Sequence, residues 1–215
     1  MDFVALQYLL GMAGTVAFAA TGVAAVAPKR VDLFGAVVLG IITAIGGGTI
    51  RDLILDVPVF WAVDLNYLWV ALGASMLAFL AHKSMTRGQI YRSMLYLDGF
   101  GAAMFAIQAA RKVMDLDFGL PLAPILLGVT TAIGGGLIRD VLAGNTTLLM
   151  RRDIYAVPIT LGCVVYAALM PLFPGNAGTV GVVSVALIFG IRSAAIRWDL
   201  KFPDWLATRP DNNGL

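Results

Sequence analysis

The residues with chemistry to offer are few, and most fall in one stretch that occurs twice. Residues 43–52 read Thr-Ala-Ile-Gly-Gly-Gly-Thr-Ile-Arg-Asp and residues 131–140 read Thr-Ala-Ile-Gly-Gly-Gly-Leu-Ile-Arg-Asp, nine of ten positions coinciding at an offset of 88. Each copy holds a glycine triplet (Gly46, Gly47 and Gly48; Gly134, Gly135 and Gly136), a preceding threonine (Thr43, Thr131) and a following ion pair (Arg51-Asp52, Arg139-Asp140). One histidine, one cysteine and no nucleophile–base or metal-ligand spacing give no enzyme signature, so no catalytic residue, cofactor or resident metal is expected. Bare backbone and paired charges instead suit a permeation or substrate path through a membrane.

Each glycine inside a helix costs about 0.8–1 kcal/mol against alanine. The spacing therefore points to helices that bend or unwind at the triplets and turn carbonyls or amides toward a polar path. Close helix packing is the plainer reading, although adjacent glycines do not share one helix face. The Arg-Asp pairs follow one turn later. Charges within a span usually face the interior and mark a pathway, while snorkelling to headgroups is the alternative. Neighbouring helical residues point about 100° apart, so each Arg is not expected to face its own Asp squarely, and a pairing across the repeats is open. Asp98 is either a pathway carboxylate or an N-cap at the membrane interface. Thr15, Thr21, Thr43, Thr131 and Gln108 are neutral groups suited to line a pore; a membrane threonine often bonds its own backbone instead.

The elements that must position these residues are membrane spans. Hydrophobic residues make up 60% of the chain, charged residues 13%, and mean hydropathy is +0.87. Soluble domains carry about a quarter charged residues. A net charge of +2 spread over the ends of apolar runs gives no footprint for nucleic acid. Apolar runs place spans near 3–27, 33–55, 68–81, 94–110, 120–143, 154–173 and 177–196. The acidic start at Asp2 and the length of the first run argue against a cleaved signal peptide. Cys163 stands alone and reads as a small packed residue.

Gly14, Phe18 and Ala19 recur as Gly101, Phe105 and Ala106, so the duplication extends beyond the triplets. A unit with an odd number of spans inserts in opposite senses in its two copies. The expected architecture is an all-α polytopic membrane protein of seven transmembrane helices: two inverted three-helix repeats, residues 1–82 and 94–176, plus a seventh helix at 177–196. A basic loop at 83–93 and a tail at 197–215 complete it. Lys29, Arg30, Lys83, Arg87, Arg92, Arg151, Arg152, Arg192, Arg197, Lys201 and Arg209 fall on one side, against Arg111, Lys112 and Arg51 on the other. The positive-inside rule then puts the N-terminus outside and the C-terminus in the cytoplasm.

At these motifs the chain resembles the TRIC (trimeric intracellular cation) channels, and more closely their bacterial relatives, also labelled glycine transporters. The resemblance rests on residues 44–52 and 132–140 and on Asp98-Gly99-Phe100-Gly101, and covers roughly residues 3–196. It implies a homotrimer with one potassium-permeable pore per subunit, bent at the triplets and passing monovalent cations such as potassium or sodium, with membrane lipids as its other partners and the bacterial inner membrane as its location. Thr49-Ile50-Arg51-Asp52 stands where the animal members carry a basic lipid-binding signature, so phosphoinositide binding is not implied. A secondary transporter of a small solute such as glycine is the alternative reading of the same repeats.

Overall fold

A computed structural model describes residues 3–203 and 205; Asp2 and residues 206–215 of the expected tail, Arg209 included, lie outside the described residues. Eight α-helices follow in order: α1 (Phe3–Val26), α2 (Leu33–Ile54), α3 (Phe60–Val63), α4 (Asn66–Ala81), α5 (Arg87–Asp115), α6 (Ala123–Leu142), α7 (Ala156–Leu169) and α8 (Ala177–Arg197). Among the described residues an isolated antiparallel bridge, Asp153 with Lys201, is the one β contact. Stretches in α1, α2, α6 and α8 are long and apolar enough to cross a membrane. Helices α4 and α7 are apolar but have 16 and 14 residues, and α5 runs for 29 residues with charges along it.

The chemistry of helix ends explains several boundaries. Asp32 Oδ1 accepts from the Gly35 N–H at 2.7 Å and caps α2. Thr86 and Gln89 form a reciprocal capping box that starts α5. This start overturns two expectations. Residues 87–93 of the expected basic loop are the first two turns of a helix, and Asp98 sits in its interior rather than at an N-cap. The Thr-x-x-Gln signature explains the difference, since it supplies its own cap well before the apolar run begins.

The two halves repeat in detail at helix ends. Asp56 and Gly144, 88 residues apart, both take left-handed backbone (φ 52° and 60°) just past α2 and α6. Arg30 and Asp117 do the same after α1 and α5 (φ 55° and 50°). Glycine adopts that region without strain, whereas the other three must hold it through their surroundings.

Contacts between the halves are reciprocal. Phe18 stacks on its own equivalent, Phe105, with centroids 5.5 Å apart and planes at 9°. A Cβ at Gly101 would meet Phe18 at 3.2 Å, and one at Gly14 would meet Phe105 at 3.4 Å. Residue numbers rise on α1 as they fall on α5, so these helices run antiparallel about a local two-fold. The core gathers round that axis, with α2 and α4 beside α1 and with α6 and α7 beside α5. Helix α8 packs on α5 and α7 and has no counterpart in the first half.

Candidate functional site: the paired glycine crossing and its two charged ends

Helices α2 and α6 cross at the triplets, and both remain α-helical throughout. A Cβ on Gly47 would overlap the Thr131 carbonyl oxygen and lie 3.2 Å from Gly135 N. A Cβ on Gly135 would overlap the carbonyl oxygen of Thr43, the equivalent of Thr131. The expected unwinding is therefore absent: the middle glycines exist because two backbones touch there, and each carbonyl is occupied by its own helix. Small residues at a membrane helix crossing serve this role, which the sequence reading had treated as the plainer alternative.

The outer glycines of each triplet do other work. Gly46 lies against Ile138 and Gly134 against Ile50, with hypothetical Cβ contacts of 2.8 and 3.6 Å. Gly48 faces the Phe60 ring at 2.5 Å. Gly136 faces Arg139 Nη2 and Asp98 Oδ1 at 3.4 Å and the Tyr155 hydroxyl at 3.5 Å. Adjacent glycines point in different directions on a helix, so one triplet serves a crossing and a charged chamber together.

Each Arg-Asp pair anchors the segment after its helix. Asp52 accepts from Arg51 Nε at 2.7 Å, from Lys112 Nζ at 2.7 Å and from the Phe60 backbone N–H at 2.9 Å. Asp140 accepts from Arg139 Nε at 2.9 Å and Nη2 at 3.2 Å, and from the Leu148 N–H at 3.3 Å. Phe60 and Leu148 are themselves 88 apart. Contrary to the expectation from helix geometry, each Arg does reach its own Asp, because a long side chain can fold back where a Cβ vector cannot. No ion pair joins Arg51 to Asp140 among the described residues. Links across the halves include Lys112 to Asp52 and Arg139 Nη1 to Thr21 Oγ1 at 3.0 Å, with Lys29 Nζ on the Ala143 carbonyl and Asn145 Nδ2 on the Ala25 carbonyl.

The chambers differ. On the Asp140 side, Arg139 is fully buried and also donates to Asp98 Oδ1 at 2.6 Å. Tyr155 stands over this pair, and the Arg192 guanidinium of α8 lies 4.8 Å above the Tyr155 ring. On the Asp52 side, the position equivalent to Asp98 is Gly11 and the one equivalent to Ala25 is Lys112. No carboxylate draws Arg51 inward; its guanidinium lies 5.6 Å from the Phe60 ring. A cavity of about 210 Å³ remains, lined by Gly48, Arg51, Phe60, Tyr67, Phe105, Gln108 and Lys112. Their counterparts across the local two-fold are Gly136, Arg139, Leu148, Tyr155, Phe18, Thr21 and Ala25, and of these Gly136 and Thr21 lie against the buried Arg139.

Of the sequence candidates, Gly48, Arg51 and Gln108 line this cavity. Asp98, Asp140 and Arg139 form the buried cluster, and Asp52 holds the cavity's rim. Arg51 and Arg139 are buried, which rules out snorkelling. Thr15, Thr43 and Thr131 are buried and bond the carbonyls of Gly11, Leu39 and Leu127 on their own helices. Thr43 and Thr131 bring their backbone carbonyls to the crossing. Tyr67 and Tyr155, whose spacing of 88 is a signal in the sequence, and Arg192, an arginine inside an apolar run, join these groups without being among the sequence candidates for the site.

The sequence profile described as Glycine transporter matches residues 8–83 and 95–171, one stretch in each half. The UPF0126 inner membrane protein YadS of Escherichia coli (strain K12) is 40% identical over 211 residues, covering 97% of this chain and 99% of that protein. A UPF0126 membrane protein of Vibrio cholerae is 38% identical over 207 residues, 95% of this chain and 84% of the relative. Among solved structures, the TRIC trimeric intracellular cation channel orthologue from Rhodobacter sphaeroides superposes with a TM-score of 0.84. It is 34% identical, over 91% of this chain and 99% of that one. A prokaryotic TRIC channel in 0.5 M KCl gives a TM-score of 0.85 at 28% identity, over 93% of this chain and 100% of that one.

Proposed function

This chain belongs to the Glycine transporter family of membrane proteins, and on that premise we propose that it is a cation channel, permeable to potassium, with one path through each subunit. The observation that carries this reading is the pair of chambers around the glycine crossing. One is a cavity of about 210 Å³, the other is filled by Arg139, and equivalent positions bound both across a local two-fold. The path runs from the Gly48 chamber past Phe105 and Phe18 to the Gly136 chamber, where the Arg139–Asp98 pair closes it. Opening withdraws the guanidinium, and Asp98 and Asp140 then face the permeating cation. Charged groups in a low-dielectric constriction act strongly on ions, and two acids against one base favour cations there.

All seven helices longer than α3 cross the bilayer in this reading, with the basic ends cytoplasmic and the N-terminus outside. The membrane is the bacterial inner membrane, and three subunits associate. The likeness to the two TRIC channel structures supports both the channel and the trimer.

A second reading rests on one observation. The open cavity pairs two cations, Arg51 and Lys112, with the aromatic rings of Phe60, Tyr67 and Phe105. That lining suits a small zwitterion held at carboxylate and ammonium ends, as alternating-access transport of glycine would need. Purified protein in planar bilayers under a potassium gradient separates the two readings. Unitary currents reversing near the potassium potential establish the channel. Saturable, ion-coupled glycine uptake without unitary currents overturns it in favour of the transporter.

A further inference from the structure

A second cavity lies away from the glycine crossing, between the first turns of α5, residues 150–153 and the end of α8. Its volume is about 710 Å³. Four basic side chains line it, Arg151, Arg152, Arg192 and Lys201, against two acids, Asp153 and Asp199. Lys201 pairs with Asp199 at 2.7 Å, and three guanidiniums and Asp153 make up the rest of the charged lining.

The guanidiniums are held in place. Arg151 donates to the Tyr91 hydroxyl and lies 5.5 Å over its ring. Arg152 donates to the Phe202 carbonyl at 2.9 Å. Arg192 is 2% exposed, donates through Nη1 to the Ile154 carbonyl at 3.0 Å, and stacks on Tyr155. Its Nε and Nη2 are buried without a partner. A buried charged donor left unused is costly, which sets Arg192 apart from the two arginines beside it. The planar fork of arginine matches the oxygens of a phosphate, and fixed forks bind with less loss of freedom.

We propose that this cavity binds a phosphate-bearing anion through Arg151, Arg152 and Arg192. Leu95, Met150 and Ile196 supply apolar wall beside the charges. A volume several times that of a phosphate ion, with apolar wall beside the charges, fits a phosphodiester headgroup with its glycerol attached. Free phosphate carries the same oxygens, and the test separates the two sources.

Thermal unfolding of the full-length protein in neutral detergent reads the binding at constant ionic strength. One arm titrates short-chain phosphatidylglycerol against phosphatidylcholine, and the other titrates inorganic phosphate against chloride. A saturable rise in Tm with phosphatidylglycerol but not phosphatidylcholine supports a lipid headgroup. A saturable rise with phosphate alone supports the site and assigns it to the free ion. The Arg151→Gln/Arg152→Gln double variant, altered only at the cavity rim, weakens either effect by about tenfold or more. Arg192→Lys keeps the charge, loses the fork, and weakens it too. No saturable shift in either arm overturns the proposal, as does a shift that both variants leave intact.

Discussion

Replacing Gly47 by alanine tests whether the glycine crossing is a contact of two backbones. The added Cβ falls less than 3.0 Å from the Thr131 carbonyl oxygen, a separation real Cβ atoms essentially never show. The obstructing atoms belong to a helix backbone and cannot swing aside, so α2 and α6 must part by about 1 Å, a gap that forfeits a quarter to a half of each affected dispersion contact. Overpacking of this kind costs about 1–3 kcal/mol, and the backbone obstacle puts this site at the upper end. Alanine returns about 1 kcal/mol of helix propensity. The net loss is about 2 kcal/mol, or roughly 4–8 °C in Tm for a chain of this size.

The assay is thermal unfolding in detergent, with Gly73→Ala as the control. Gly73 is helical and a Cβ there meets nothing within 4 Å, so that variant should hold or raise Tm. Gly135→Ala should match Gly47→Ala, because its Cβ overlaps the equivalent carbonyl of Thr43. The double variant should lose less than the sum, since one parting of the helices accommodates both methyls. A Gly47→Ala protein as stable as the Gly73→Ala protein would refute the backbone crossing and return the triplets to a role in bending.

Three further outcomes follow from the same geometry. Removing one partner of a buried ion pair costs about 3–5 kcal/mol; Arg139→Gln, which strands both Asp98 and Asp140, should unfold at lower temperature than Asp98→Asn, which leaves Arg139 with Asp140. Equal shifts would show that the three charges do not act as one cluster. Cys163 is fully buried against Ala106 and Gly128, so a maleimide should label it only as the protein unfolds; rapid labelling of folded protein contradicts this packing. Thr86→Ala should cost about 1 kcal/mol by removing the α5 cap, and Gln89→Ala added to it should cost little more; hydrogen exchange at the first turn of α5 checks both.

Much of the fold could be read along the chain because it depends on short-range pattern. The duplicated decapeptide marks α2 and α6, and the recurrence of Gly14 and Phe18 as Gly101 and Phe105 marks the helices that meet on the axis. The start of α5 was also legible, in Thr86 and Gln89, but a reading led by hydropathy looks past a polar first turn. The partners of the site were not legible. Asp98 and Arg139 are 41 residues apart, Lys112 and Asp52 are 60 apart, and no periodicity within one helix relates them.

The sequence by itself determined the symmetry: two copies of one motif, carried by apolar helices that must run in opposite senses. It also determined which glycines would be bare. Tertiary structure decided what each glycine touches, with the middle one on a carbonyl of the opposite copy and the last in a charged chamber. It decided, too, that near-identical motifs behave differently. Beside one copy a lysine reaches Asp52, and Gly11, packed against Tyr67 and Gln108, brings no carboxylate, so that Arg51 lines a cavity. Beside the other, Asp98 occupies the position equivalent to Gly11 and draws Arg139 fully inside. Electrostatic attraction at low dielectric is decided by the nearest opposite charge, and packing, not sequence distance, sets which charge is nearest.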